Sequence, residues 1–315
     1  MICLSACQKF INGELKKAML TICILGGTGF VGSRLAGLFS SAGYRTRIPT
    51  RRRERYKDRI ILLPNCELIN ADISDPLNLE KVIRGADIVI NCVGILHENR
   101  KNDFEKYHVT LVKNIVEACT KNKTPRFIQV SALKASPSGP SKYLRSKGDA
   151  ETIIRQAANV DFKCGIIRPS VIFGPGDSFL TMFQKSTKFA PVLPLASPHA
   201  KFQPIFIGEV VEKIFSLARE TSEPLTEIDL CGPRVYTLLE LVKLASSFNK
   251  TKTIVMPLNE TLSYLQAFAM ELSPIKLLTR DNLRSMSIDN VCDSAECSSA
   301  IGVVTIEEIA PSYLG

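Results

Sequence analysis

The chain has 315 residues, of which 45% are hydrophobic and 23% charged. It can therefore bury a full core, and its composition excludes a disordered or fibrous class. The formal charge of +9 is largely local, with Arg45, Arg47, Arg51, Arg52, Arg53, Arg55, Lys57 and Arg59 crowded between positions 45 and 59. No helix-turn-helix or aromatic-rich RNA motif accompanies this run, so no nucleic acid is expected as a partner.

The ten cysteines show no CxxC and no zinc-ligand spacing. Cys23, Cys92, Cys164 and Cys231 lie in apolar runs, where cysteine behaves as a small hydrophobe, and they read as free thiols of a reducing compartment. His97, His108 and His199 are scattered, so no metal site is expected. No stretch approaches the ~18 apolar residues of a transmembrane helix. Residues 1–18 lack the apolar core of a secretion signal. Met19 stands directly before the first strand-like run, so those residues are expected to form a leader outside the fold.

From Met19 onward, strand and helix patterns alternate. "LTICIL" reads as a first strand, followed by a glycine loop and a helix to about Ser40. "YRTRIPT" and "CELINAD" read as the second and third strands, "PLNLEKVIRGA" as a helix and "DIVINCVG" as the fourth strand. "FEKYHVTLVKNIVEACTK" is a long amphipathic helix and "RFIQVSAL" the fifth strand. "SKYLRSKGDAETIIRQA" is a further helix, and "FKCGIIRPSVIFG" holds the sixth strand and its exit. Strands separated by single helices predict βαβ units, hence an α/β fold with a Rossmann-like, doubly wound parallel sheet. After Gly174 the alternation breaks and prolines accumulate. The pattern predicts a dinucleotide-binding domain over 19–175 with a return segment near 203–231. Residues 176–202 and 232–315 are expected to form a smaller, mostly helical C-terminal substrate domain.

The loop "LGGTGFVGSRL" places Gly26, Gly29 and Gly32 between a strand and a helix. Glycine admits the positive-φ turn and lets backbone N–H groups approach a pyrophosphate at the helix N-terminus. Thr28, Phe30 and Val31 complete this candidate binding loop. An acid that would bind the ribose of NAD is expected about 20 residues further on. Instead the second strand runs into Thr50-Arg51-Arg52-Arg53. A guanidinium fork suits a 2′-phosphate, so NADP(H) is the expected cofactor and NAD(H) the alternative.

"SKYLRSK" sets Tyr143 and Lys147 four apart, on one helix face. A lysine ammonium and an oxidised nicotinamide near that phenol would favour the phenolate. Such a tyrosine can exchange a proton with a carbonyl or alcohol while the cofactor moves hydride. Ser131, at the end of the fifth strand, can hydrogen-bond the same oxygen. Between Val255 and Leu278 the chain is rich in Leu, Met, Phe and Tyr. This segment is expected to pack its apolar face on the domain core, the alternative being an apolar cleft wall or a membrane contact.

"GGTGFVG", "NADISDP", "NCVGIL", "VSAL", "YLRSK", "RPSVIFGPGD" and "FQPIFIGEVV" occur in the order found in extended, atypical short-chain dehydrogenases/reductases. The chain resembles most the group of the nucleotide-binding accessory subunit of mitochondrial complex I (alpha-subcomplex subunit nine) and its bacterial relatives. The resemblance implies that Asp72 and Ile73 flank the adenine and that Asn91, Val93 and Gly94 line the middle of the cofactor. It makes Tyr143 and Lys147 the catalytic pair and sets Pro169 and Ser170 near the nicotinamide. Where active relatives often carry an asparagine near the start of the long helix, His108 or Thr110 stands here, and Asn114 follows later.

Three functions are compatible with these residues: redox chemistry on a carbonyl, alcohol or quinone-related small molecule, a structural NADPH-binding or assembly subunit, and a nucleotide-sugar epimerase or dehydratase. By resemblance the partners are a respiratory complex or a membrane surface, and the location is cytoplasmic, peripheral at the inner face of a membrane.

Overall fold

A computed structural model describes residues 19–60, 62–220, 222–249, 253–273, 276–293 and 299–315; the leader 1–18 lies outside the described residues. Eight parallel strands form one sheet. They are β1 (Thr21–Leu25), β2 (Arg45–Thr50), β3 (Cys66–Asn70), β4 (Ile88–Asn91), β5 (Arg126–Val130), β6 (Lys163–Pro169), β7 (Leu225–Cys231) and β8 (Ser299–Ile301). Their order is β8-β7-β6-β5-β4-β1-β2-β3. Chain order reverses between β1 and β4, and ligands of such sheets bind in the crevice at that switch, outside the carboxyl ends of the strands.

The strands read as continuous apolar runs because both faces are covered. In β1 all five residues are buried. Ile22 and Ile24 face one layer with Leu35 and Phe39 of α1 (Phe30–Ser41). Cys23 and Leu25 face the other, with Leu111 and Ile115 of a helix on the opposite side. The basic run after β2 folds into a short helix, α2 (Arg53–Ile60), and α3 (Pro76–Ile83) follows β3.

The long helix expected over 104–121 is not uniform. Glu105–Thr110 is a π-helical turn, and only Leu111–Lys121, α4, is α-helical. Such turns concentrate at functional sites, and this one carries His108. α5 (Lys142–Ala157) follows β5.

Beyond β6, α6 (Phe179–Phe189), α7 (Ile207–Arg219) and α8 (Leu238–Ser247) follow. α7 returns to the sheet, burying Val210, Ile214 and Leu217 in the same layer as α1. Phe173, Leu180, Leu241, Ile306 and Leu314 form a separate cluster. Two further helices, α9 (Glu260–Glu271) and α10 (Arg280–Ser285), run on from a short parallel pairing of residues 254–257 with 192–195.

Two sequence expectations change. Cys231 is not a free thiol: it is disulfide-bonded to Cys292. The end of β7 and the 290–292 segment meet because Gln203 holds both. Its backbone N–H donates to the Asn290 carbonyl, its side-chain amide donates to the Gly232 carbonyl, and its Oε1 accepts from the Cys292 N–H. Cys23, Cys66, Cys92, Cys119 and Cys164 are free. The second change is α9, which buries its small residues Ser263 and Ala267 and leaves Leu262, Tyr264, Leu265 and Phe268 exposed.

Candidate active site

The glycine loop joins β1 to α1. Gly26 holds φ +76° and lies so close to the β4 exit that a Cβ there would stand 3.1 Å from the Cys92 and Val93 backbone. At Gly32 a Cβ would fall 2.3 Å from the Gly26 carbonyl oxygen, so only glycine lets α1 start this near the strand. Gly29 occupies the N-cap without a side-chain cap. The first-turn N–H groups at Phe30, Val31 and Gly32 therefore have no side chain competing with an anion at the positive end of the helix.

Beside the loop lies a cleft of about 190 Å³ whose walls include Gly26, Thr28, Arg51, Asp72, Ile73 and Val93. Those six expected residues are thus gathered around one space. Lys106 and Tyr107, which the sequence does not single out, face it from the π-helical turn, and Asn114 faces it from α4. Asp72 accepts from the N–H and the hydroxyl of Ser74, which, with Arg51 and Lys106 nearby, hold its carboxyl below the usual range. Arg51 and Arg52, together with Arg53 and Arg55, also line a shallow basic pocket at the end of β2.

Asn91 at the end of β4 is fully buried. Its amide donates to Gln129 Oε1 at 2.9 Å, and its Oδ1 accepts from the Val93 N–H at 3.1 Å, so it fixes the turn out of the strand. Gly94 follows, and a Cβ there would stand 3.3 Å from Lys147 Nζ. The lysine thus lies against a backbone that a side chain would push away, its Nζ donating to the Val130 carbonyl at 3.3 Å. Burial brings Lys147 down to about 8, a loss that the charges of Glu151 and Cys92 partly offset.

Tyr143, one helical turn earlier, is half-buried between the rings of Phe104 and His108, with centroids at 5.9 and 5.7 Å. Burial pushes its phenol up to about 12. His108 explains how this corner is held. Its Nε2 accepts from the Ile95 N–H at 3.1 Å and its Nδ1 donates to Ser146 Oγ at 2.8 Å. Ser146 donates in turn to the Tyr143 carbonyl at 2.8 Å. Burial and the Lys147 charge bring His108 down to about 2, so it is neutral.

Ser131, buried at the end of β5, has its hydroxyl engaged by a carboxylate. Its hydroxyl donates to Glu151 Oε1 at 2.6 Å. Glu151 is fully buried and also accepts from Arg168 and Arg155, and Arg168 reaches Glu227 and Asp229. Two guanidinium groups among three carboxylates claim the serine because each buried carboxylate oxygen needs donors. Pro169 ends β6 and Ser170 follows it. The Pro169 carbonyl accepts from the Leu133 N–H, and Ser170 Oγ donates to Asn290 Oδ1 at 2.6 Å.

One positioning residue has no sequence signal. The Asp281 carboxylate accepts from the Lys142 N–H at 2.8 Å and the Tyr143 N–H at 3.0 Å, while Ser141 caps Leu144. α10 therefore caps the helix that carries the tyrosine. Asp281→Ala is expected to lower stability by about 1–2 kcal/mol, the cost of a lost acidic cap, read as the shift in the urea unfolding midpoint. Asp281→Asn, which retains one acceptor oxygen, should recover part of it; no shift in either would show the cap to be idle.

Comparison with known proteins agrees with this geometry. The sequence profile of the NAD dependent epimerase/dehydratase family matches residues 22–220. The chain is 25% identical over 295 residues to the mitochondrial NADH dehydrogenase [ubiquinone] 1 alpha subcomplex subunit 9 of Dictyostelium discoideum, covering 92% of this chain and 80% of that protein. The Mus musculus subunit is 28% identical over 286 residues, covering 84% and 75%. A ceramide reductase of Caulobacter vibrioides is 28% identical over 226 residues, covering 70% and 68%. Among solved structures, MoeE5 in complex with UDP-glucose and NAD superposes with a TM-score of 0.63 at 18% identity, over 76% of this chain and 85% of that one. Gox2253 superposes with 0.65 at 21% identity, over 85% and 88%. A family profile spanning most of the sheet, on a fold that these structures share, makes the chain a member of the NAD dependent epimerase/dehydratase family.

Proposed function

We propose that the chain is an NADP(H)-dependent reductase of a carbonyl on an apolar, quinone-related small molecule. The observation that carries this reading is the pair itself: Tyr143 and Lys147 lie on one face of α5, with Lys147 packed against Gly94 at the carboxyl edge of the sheet. The uncapped N-terminus of α1 and the glycine loop suit the pyrophosphate, Asp72 and Ile73 the adenosine, and Arg51 and Arg52 a 2′-phosphate. When bound, the dinucleotide supplies the hydride.

The chain's own residues manage the proton. With its pKa near 12 the buried phenol keeps its proton at neutral pH, the state needed to protonate the oxygen of a carbonyl undergoing reduction. Lys147 at about 8 is mostly cationic at pH 7, and its charge lowers the cost of the phenolate left behind. His108 and Ser146 orient the first turn of α5.

A second reading is favoured by Ser131. With that hydroxyl committed to Glu151, the pair lacks the expected serine donor, and the nucleotide then serves to hold a subunit of a respiratory assembly together, consistent with the alpha-subcomplex relatives. Oxidation of NADPH in the presence of short-chain quinones and aryl ketones separates the two. Steady consumption that Tyr143→Phe removes supports the reductase. Binding of NADPH without consumption on any of these acceptors supports the structural role.

A further inference from the structure

One continuous stretch, residues 276–293, runs along the carboxyl edge of the sheet and touches the exit of strand after strand. Beyond β4, Lys276 donates to the Glu98 carbonyl at 2.7 Å and Asn282 to the Leu96 carbonyl at 3.1 Å. Asp281 caps the helix that carries Tyr143, and Ser285 donates to Ser141 Oγ at 2.8 Å just before that helix. Asn290 accepts from Ser170 beyond β6, and Asp293 pairs with Lys134 beyond β5 at 2.8 Å. None of the six residues of α10 is buried. The position of this strap therefore depends on its polar contacts and on where the chain is fastened downstream.

These fastenings differ in kind. Hydrogen bonds and a partly exposed ion pair are individually weak and open reversibly. Among the described residues the covalent anchor is Cys292, bonded to Cys231 at the end of β7. That end is rigid, because Cys231 is fully buried and β7 pairs with both β6 and β8. Five other cysteines of the same chain stay free, and disulfides of reducing compartments are mostly transient or redox-sensing. Access agrees with such a role. Cys292 is only half-buried, so an incoming thiolate approaches from its side of the bond.

We propose that Cys231–Cys292 is a thiol–disulfide exchange site for a dithiol reductant, and that its state sets how firmly residues 276–293 hold the Tyr143 helix. The reductant's thiolate attacks the Cys292 sulfur, and the Cys231 sulfur leaves with the bonding pair and takes a proton. The reductant's second thiolate then attacks its own sulfur in the mixed disulfide and releases Cys292, which is protonated in turn. Two electrons and two protons pass to the protein, and the dithiol leaves as its internal disulfide. Asn290 and Asp293 are then left with noncovalent partners alone, and the loosening reaches Asp281 through α10. Any change in turnover rests on the reductase reading; the exchange and the loosening do not.

The full chain, oxidised with glutathione disulfide, is compared with the same chain after dithiothreitol, without dinucleotide or acceptor, so that a failed reductase assay leaves the test intact. Alkylation in denaturant, mapped by peptide mass, is expected to miss Cys231 and Cys292 in the oxidised chain and to label both after reduction. Hydrogen exchange at the Lys142 and Tyr143 amides, which donate to Asp281, should become at least ~10-fold faster on reduction. The amides of β1 and β4 should keep their protection, and glutathione disulfide should reverse the change. Cys292→Ser should show the fast exchange without reductant and no response to dithiothreitol. Alkylation of both cysteines in the oxidised chain overturns the proposal, because the bond then does not form. So does unchanged exchange at the two amides, which would leave the strap indifferent to the bond. Protection lost throughout β1 and β4 also overturns it, since the bond would then be a staple of the whole fold.

Discussion

Tyr143→Phe is expected to reduce turnover of NADPH by ~10²–10⁴, the range of a lost general acid, while leaving dinucleotide affinity within about twofold. The affinity should persist because the phenol lies between Phe104 and His108, apart from the glycine loop. The same chemistry fixes the pH dependence. Lys147 loses its proton near pH 8, so the reduction rate should fall as pH rises through that value, and the phenol, near 12, should not titrate in the working range. Lys147→Met should remove that alkaline limb together with most of the rate. A flat profile from pH 6 to 9, or a Tyr143→Phe variant as active as the wild type, would show that the proton comes from elsewhere.

Gly32→Ala is expected to destabilise the fold by about 1–3 kcal/mol, the cost of forcing a methyl into a filled space, and to weaken NADPH binding in parallel. The added Cβ meets the Gly26 carbonyl oxygen at 2.3 Å, and that atom is backbone, so α1 must move off the loop. Gly37, in the same helix, supplies the control. Nothing lies within 4 Å of a Cβ there, and Gly37→Ala should stabilise by about 0.5–1 kcal/mol through helix propensity. Chemical unfolding of the two variants beside the wild type gives both signs. Equal effects would mean that the loop does not require glycine at position 32.

The parts of the molecule legible in the sequence are those specified locally. Buried apolar strands, the glycine turn and the i, i+4 spacing of Tyr143 and Lys147 each follow from a short stretch of chain, and the alternation of strands and helices then implies the parallel sheet. What escaped depends on residues far apart in sequence. Ser131 turns toward Glu151 because Arg168 and Arg155 assemble carboxylates from β7 around it, and no neighbour of Ser131 announces this. Asp281 caps a helix 138 residues earlier. The π-helical turn at Glu105–Thr110 has the same apolar spacing as an ordinary helix start, and His108 acquires its role only when Ile95 and Ser146 come within reach. α9 misleads for another reason: periodicity reports that a helix has an apolar face, not which way that face points. The Cys231–Cys292 bond likewise joins two separate segments, one of which lies in an apolar run that reads as core.

The central claim is that the loop after β1 and the arginines after β2 together select a 2′-phosphorylated dinucleotide. Calorimetric titration of the full chain with NADPH and with NADH tests it most directly. NADPH is expected to bind at least ~10-fold more tightly, about the worth of one solvent-exposed charge-assisted contact, and Arg51→Ala with Arg52→Ala should bring the two affinities together. Equal affinities in the wild type, or binding of neither dinucleotide, would contradict the account.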